Sequence, residues 1–181
     1  MRYTALTLAL AGAVLLSGCS SLVSLDPFVT DDRAASDANL VGVWQGAGGD
    51  DKDLTVIRRK GSAYTIRYIG DDDSGTCVAL EGRLLRVGDA EFMDLVGNDK
   101  NGFAIPVHMV ARVWPEGGAL RWVFLDSDWL KDQAKQSLGT QAAGDRTLIT
   151  TKGAAVAQFL EKFGADEKAY SGEMKQWVRV P

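Results

Sequence analysis

Histidine is almost missing from this chain: there is one, His108, and the cysteines number two, Cys19 and Cys77. A metal centre built on imidazoles or thiolates needs several such ligands, so the usual zinc arrangements are excluded. A Ser-His-Asp triad would have to use His108, and no Gly-x-Ser-x-Gly turn supplies the serine. Gly46-Ala47-Gly48-Gly49 is glycine-rich, but it lacks the Lys-Ser/Thr of a phosphate loop and opens no helix. Asp71-Asp72-Asp73 and Asn98-Asp99-Lys100-Asn101-Gly102 offer oxygen ligands without the calcium-loop spacing, and both read as solvated loop tips. No run reaches the roughly 20 apolar residues that a membrane-crossing helix needs. There is no basic excess either: 20 Lys and Arg face 24 Asp and Glu. That balance argues against a nucleic-acid partner, which calls for a basic stripe, and against a polybasic membrane-binding face.

What is present begins at the first residues. Arg2 and the terminal amine are followed by an apolar run from Ala5 to Leu16 and a small-residue stop. This is the architecture of a secretory signal. Leu16-Ser17-Gly18-Cys19 resembles the lipobox of bacterial lipoproteins. The resemblance implies cleavage after Gly18, then a diacylglyceryl thioether and an acylated amine on Cys19, with chains such as palmitate. It also implies a place in the cell envelope. In that group an Asp after the cysteine favours the inner membrane, so Ser20 points to the outer membrane and a periplasmic domain. Several acyl chains on one residue anchor far more firmly than a single chain, which holds only marginally. Removing residues 1–18 takes away one base, Arg2, and no acid, leaving 19 basic against 24 acidic residues. With Cys19 acylated, Cys77 has no partner within the chain; it reads as a small buried thiol in a strand, the alternative being a disulfide between chains.

Residues 19–38 read as the lipidated cysteine and a tether, and 39–181 as one domain. From Leu40 the pattern is of short strands with turn punctuation. The expected strands are Leu40–Gln45, Leu54–Arg59, Ala63–Ile69, Thr76–Val87 as one long strand or a bent pair, Glu91–Val96, Ile105–Trp114, Ala119–Leu125, Arg146–Thr150 and Lys175–Val180. In Ala63–Ile69 the alternation puts Tyr64, Ile66 and Tyr68 on one face. Two helices interrupt the strands. One is capped by Asp126 or Ser127 and runs to about Leu138, with Trp129, Leu130, Ala134 and Leu138 as its apolar stripe. The other runs from about Thr151 to Gly164, with Val156, Phe159, Leu160 and Phe163 at helical spacing. The expected fold is mainly β: an antiparallel barrel or strongly curved sheet with two short packed helices.

Gly42-Val43-Trp44 opens the first strand and resembles the Gly-x-Trp signature of lipocalins. In that family the Trp closes one end of an eight-stranded barrel and an Arg from the last strand packs across it; Arg179 is placed to take that part. The family's Thr-Asp motif is missing, and two late helices depart from its order. Phe124-Leu125-Asp126, Asp128-Trp129-Leu130 and Phe159-Leu160 are similar to positions shared by a loose group of uncharacterised bacterial proteins, a resemblance that implies no activity.

No catalytic residue, metal or cofactor is expected. The functional expectation is a non-catalytic, membrane-anchored module for a small apolar or amphipathic ligand. The alternatives are an accessory lipoprotein that docks on another envelope protein, and a hydrolase using His108 or Asp126. Asp126 and Asp128 fall at a helix start, where exposed amides attract acids in any case. Trp114, Trp122, Trp129 and Trp177 either line a cavity or fill a core.

Overall fold

Among its described residues the computed structural model has eleven strands, most of them from short apolar alternation: β1 Leu22–Ser24, β2 Gly42–Gly46, β3 Leu54–Lys60, β4 Ala63–Ile69, β5 Cys77–Val87, β6 Ala90–Gly97, β7 His108–Glu116, β8 Ala119–Phe124, β9 Thr140–Ala143, β10 Arg146–Ile149 and β11 Lys175–Arg179. The structure describes residues 22–48, 53–70, 77–97, 105–126, 128, 129, 133, 137–144, 146–164, 166–170 and 174–181. Cys19, the Asp71–Asp73 tip and the 98–102 loop lie outside them, as do Gly49, Ser127, Leu130 and Ala134. Among the described residues no helix is long and apolar enough to cross a membrane.

Strands β2 to β8 form an antiparallel meander, and β11 pairs with both β8 and β2. The β6–β7 pairing completes the ring, so eight strands close into a barrel with no free edge. Three connections on one side are two-residue hairpins: Gly61-Ser62, Gly88-Asp89 and Gly117-Gly118. Gly117 and Gly118 both have positive φ, 55° and 88°. That twist matches the right-handed strands on either side, and side chains with a Cβ rarely adopt it. The connections on the opposite side are longer.

Around the barrel, alternation sorts residues between two cores. Leu84, Met93, Leu95, Ala111, Val113 and Leu120 face inward with Trp44 and Trp177. Leu85, Phe92, Val110 and Val123, on the other face of the same strands, join an outer core. The outer core is covered by α1, Gly153–Phe163, through Val156, Phe159 and Leu160. The first expected helix is described only in part: Asp128, Trp129 and Gln133 are helical. Trp129 packs edge-on against Phe159, with ring centroids 5.9 Å apart.

The segment read as a tether is part of the fold from Leu22 onward. β1 pairs in parallel with β10, and Phe28 and Val29 are buried. β9 pairs with β10; neither β1 nor β9 was expected. Thr140–Ala143 is exposed along its length and shows no apolar alternation. Leu22–Ser24 is too short to register and depends on a partner more than 120 residues away. Cys77 lies in a strand as expected, but it is exposed. It is the first residue of β5, outside both cores.

Candidate ligand-binding site

The inward faces of the barrel strands do not fill its interior. They leave a cavity of about 380 Å³, within the range usual for small-molecule pockets. Its wall is mostly apolar: Ile57 and Ile66, Leu80 and Leu95, Val113 and Leu120 come from six strands. Trp122 and Trp177 complete the wall on β8 and β11, their rings 5.2 Å apart. Trp114 and Trp129 lie instead with the outer core. The four expected tryptophans therefore divide evenly between cavity and packing.

One end of the barrel is plugged by the chain just before β2. Ala38–Leu40 forms a 3-10 turn capped by Asp37, whose carboxylate accepts from the Asn39 amide at 2.7 Å. Leu40 is buried, and its carbonyl accepts from Trp44 Nε1 at 3.0 Å. Tyr64 ties the plug to β4: its hydroxyl accepts from the Asp37 amide at 2.7 Å and donates to the Asp37 carbonyl at 3.2 Å. Burial pushes the Tyr64 phenol above its ordinary range, so it stays neutral and able to donate.

Across this end lies the expected pair. The Arg179 guanidinium carbon sits 4.3 Å from the Trp44 ring centre. Its two terminal nitrogens donate to the Val41 and Asn39 carbonyls, each at 2.6 Å. Backbone pairing brings the two residues opposite one another across 135 positions of sequence. Gly42 makes room for them, because a methyl group there would run into the guanidinium. Glycine, indole and guanidinium thus form one closure, worth about 0.5–2 kcal/mol in cation–π attraction alone.

The other end is the mouth. Val78 and Phe124 line the cavity and are about 41% and 42% exposed. Asp53, Tyr68 and Lys175 are also in the lining, and the Tyr68 hydroxyl donates to the Asp53 carboxylate. Deeper in, Thr55 is 2% exposed. Its Oγ1, like Trp122 Nε1, has no hydrogen-bond partner among the described residues. Thr55, Tyr68 and Lys175 carry no motif in the sequence; the signal that could have found the first two is the shared parity of Thr55, Ile57, Tyr68 and Ile66 on neighbouring strands.

His108 lies on the outside of the barrel. Its Nδ1 is 2.9 Å from Asp94 Oδ1, and Asp94 Oδ2 accepts from the Phe28 and Val29 amides at 3.0 and 3.3 Å. Ser24, opposite His108 in the β1–β7 pairing, is fully buried and accepts from the Asp26 amide. This cluster fastens the N-terminal segment to the barrel wall. Asp126 Oδ1 accepts from the Asp128 and Trp129 amides at 2.7 and 2.9 Å, as a helix cap does. Among the described residues no group of three His, Cys, Asp or Glu is placed to hold a metal ion. Comparison with family models, with curated proteins and with solved structures yields no match for the chain.

Proposed function

We propose that the domain is a non-catalytic binding module that takes a small apolar or amphipathic molecule into its barrel at a membrane surface. The observation that carries this reading is the apolar cavity, enclosed by eight strands and closed at one end by Trp44 and Arg179. Apolar side chains lining a space of this size gain packing contacts when an apolar ligand fills it. A hollow interior also favours uptake of a ligand over a role confined to docking on another envelope protein.

The membrane part of the proposal rests on the leader, with lipidated Cys19 as the anchor in the bacterial envelope and the outer membrane as the expected site. The start of the fold sharpens it. Leu22 is three residues after Cys19, and three extended residues reach about 10 Å. The barrel would sit against the lipid surface and not on a long stalk.

Two measurements test the reading. The full-length protein, purified in nanodiscs, should bind an uncharged apolar dye with enhanced fluorescence, and solvent extraction should release a bound small molecule. No dye uptake and no extracted molecule would remove the binding role. Mass spectrometry of the membrane-derived N-terminal peptide should find acyl chains on Cys19; a peptide that retains residues 1–18 removes the anchor.

A further inference from the structure

We infer that the mouth rim of the barrel docks on the lipid bilayer, so that the cavity opens into the membrane and takes its ligand from there without passage through water. The inference rests on the anchor and cavity readings above and adds which face of the domain meets the lipid. Among the described residues nine large apolar side chains are exposed, and six of them stand at the mouth end. Ile69 ends β4, and Val78 follows the first residue of β5 beside it. Phe124 ends β8, and Met174 directly precedes β11. Leu25 and Ile105 are the most exposed of the nine, at 53% and 73%. Both adjoin the Ser24–His108 pair, where β1 meets the mouth end of β7. The remaining three, all valines, lie on β2 and along the end of the chain, toward the plugged end. Apolar side chains gathered at one place on a surface mark an interaction site.

The reach of the anchor decides between the two patches. Leu22 is two residues back along β1 from Ser24, about 7 Å from the mouth end. β7 runs on for eight residues from His108 to Glu116, about 27 Å, so the plugged end is about 20 Å from the level of Leu22. The three residues from Cys19 to Leu22 span at most about 10 Å. A lipid-held Cys19 therefore keeps the mouth at the bilayer and leaves the plugged end out of reach. The same short link brings the strand that leads into Leu25 closest to the lipid, where the two most exposed apolar side chains are found. Their transfer from water to the acyl boundary is favourable in proportion to the apolar area covered.

Cys77 supplies the reporter for the test. It is exposed at the mouth, pairs with Ile69, and is the only thiol left when Cys19 is acylated. The full-length protein, at one copy per phosphatidylcholine nanodisc, is labelled there with nitrobenzoxadiazole, and the discs carry phosphatidylcholine with a nitroxide on its acyl chain as quencher. The comparison protein is Cys77→Ser with Asp89→Cys, which moves the label to an exposed hairpin at the plugged end. Quenching at Cys77 should exceed that at Asp89→Cys by about tenfold, a ratio that corresponds to a preference of about 1.4 kcal/mol for the mouth facing the lipid. Leu25→Asp combined with Ile105→Asp should remove most of that difference; both side chains are exposed, and circular dichroism checks the fold. Equal quenching of the two labels, or a difference that survives the two Asp substitutions, overturns the inference while leaving the anchor and the cavity intact. So does a Cys77 label that neither the lipid nitroxide nor aqueous iodide reaches, because protein then covers the rim. Two labels per chain in the unsubstituted protein, with no acyl chain on Cys19, overturn the anchor reading, and this inference with it.

Discussion

Asp94→Ala tests the least expected part of the fold, the fastening of the N-terminal segment. The side chain is buried on the outer barrel wall, and its carboxylate serves three groups: the Phe28 amide, the Val29 amide and His108 Nδ1. Truncation leaves two buried N–H groups without an acceptor, at about 1–3 kcal/mol each. The lost contact with His108 Nδ1 adds about 0.5–1.5 kcal/mol. The expected loss is therefore about 4 kcal/mol, a large part of the roughly 5–15 kcal/mol that stabilises a domain. Asp94→Asn keeps one carbonyl acceptor and should cost about half as much. Denaturant unfolding measures both. Limited trypsin digestion gives a local readout, because Arg33, which pairs with Glu161 across to α1 at 2.6 Å, lies in the released segment. Cleavage at Arg33 should become faster in Asp94→Ala before the barrel unfolds. A loss below about 1 kcal/mol, with no change at Arg33, would refute the reasoning that this carboxylate holds the segment in place.

Arg179→Ala removes the ring contact and two carbonyl bonds at an exposed site, so about 2 kcal/mol should be lost, lowering Tm by about 4–8 °C in calorimetry. Arg179→Lys, with one nitrogen in place of the fork, should restore less than half of the loss. Leu95→Trp projects a larger side chain into the cavity and should abolish dye uptake while circular dichroism still reports a folded barrel. Burial pushes the Tyr170 phenol well above its ordinary value near 10, with Arg112 opposing in part. A folded value above the unfolded one means that stability is intact below about pH 10 and falls as pH rises beyond it. Tyr170→Phe should flatten that alkaline decline in pH-dependent unfolding, at a cost of about 1 kcal/mol at neutral pH from the lost bond to the Gly164 carbonyl.

Much of the barrel is legible in the local pattern of the chain. Ala63–Ile69 is expected with its observed ends, and Leu54–Arg59 differs from β3 by one residue. Both lie beside two-residue turns, and period-two patterning is a local property of the chain. Trp44 and Arg179 are also legible as a pair, because a short motif and a cation in the last strand suffice to suggest it. The interior is not legible. β5 and β6 are apolar on both faces, as Leu84-Leu85 and Phe92-Met93 show, since α1 covers one face while the barrel encloses the other. Alternation alone cannot say which parity faces a cavity.

Local pattern, then, determined by itself that the chain forms a mainly antiparallel β domain with tight hairpins and an amphipathic C-terminal helix. Ring closure, the plugged end, the cavity and the recruitment of residues from Leu22 onward were decided only in three dimensions. The physical reason is range. A hairpin turn and an alternating strand are set by neighbours in sequence, whereas Trp44 against Arg179, Leu22 against Thr147 and Asp94 against Phe28 are contacts whose partners are remote along the chain.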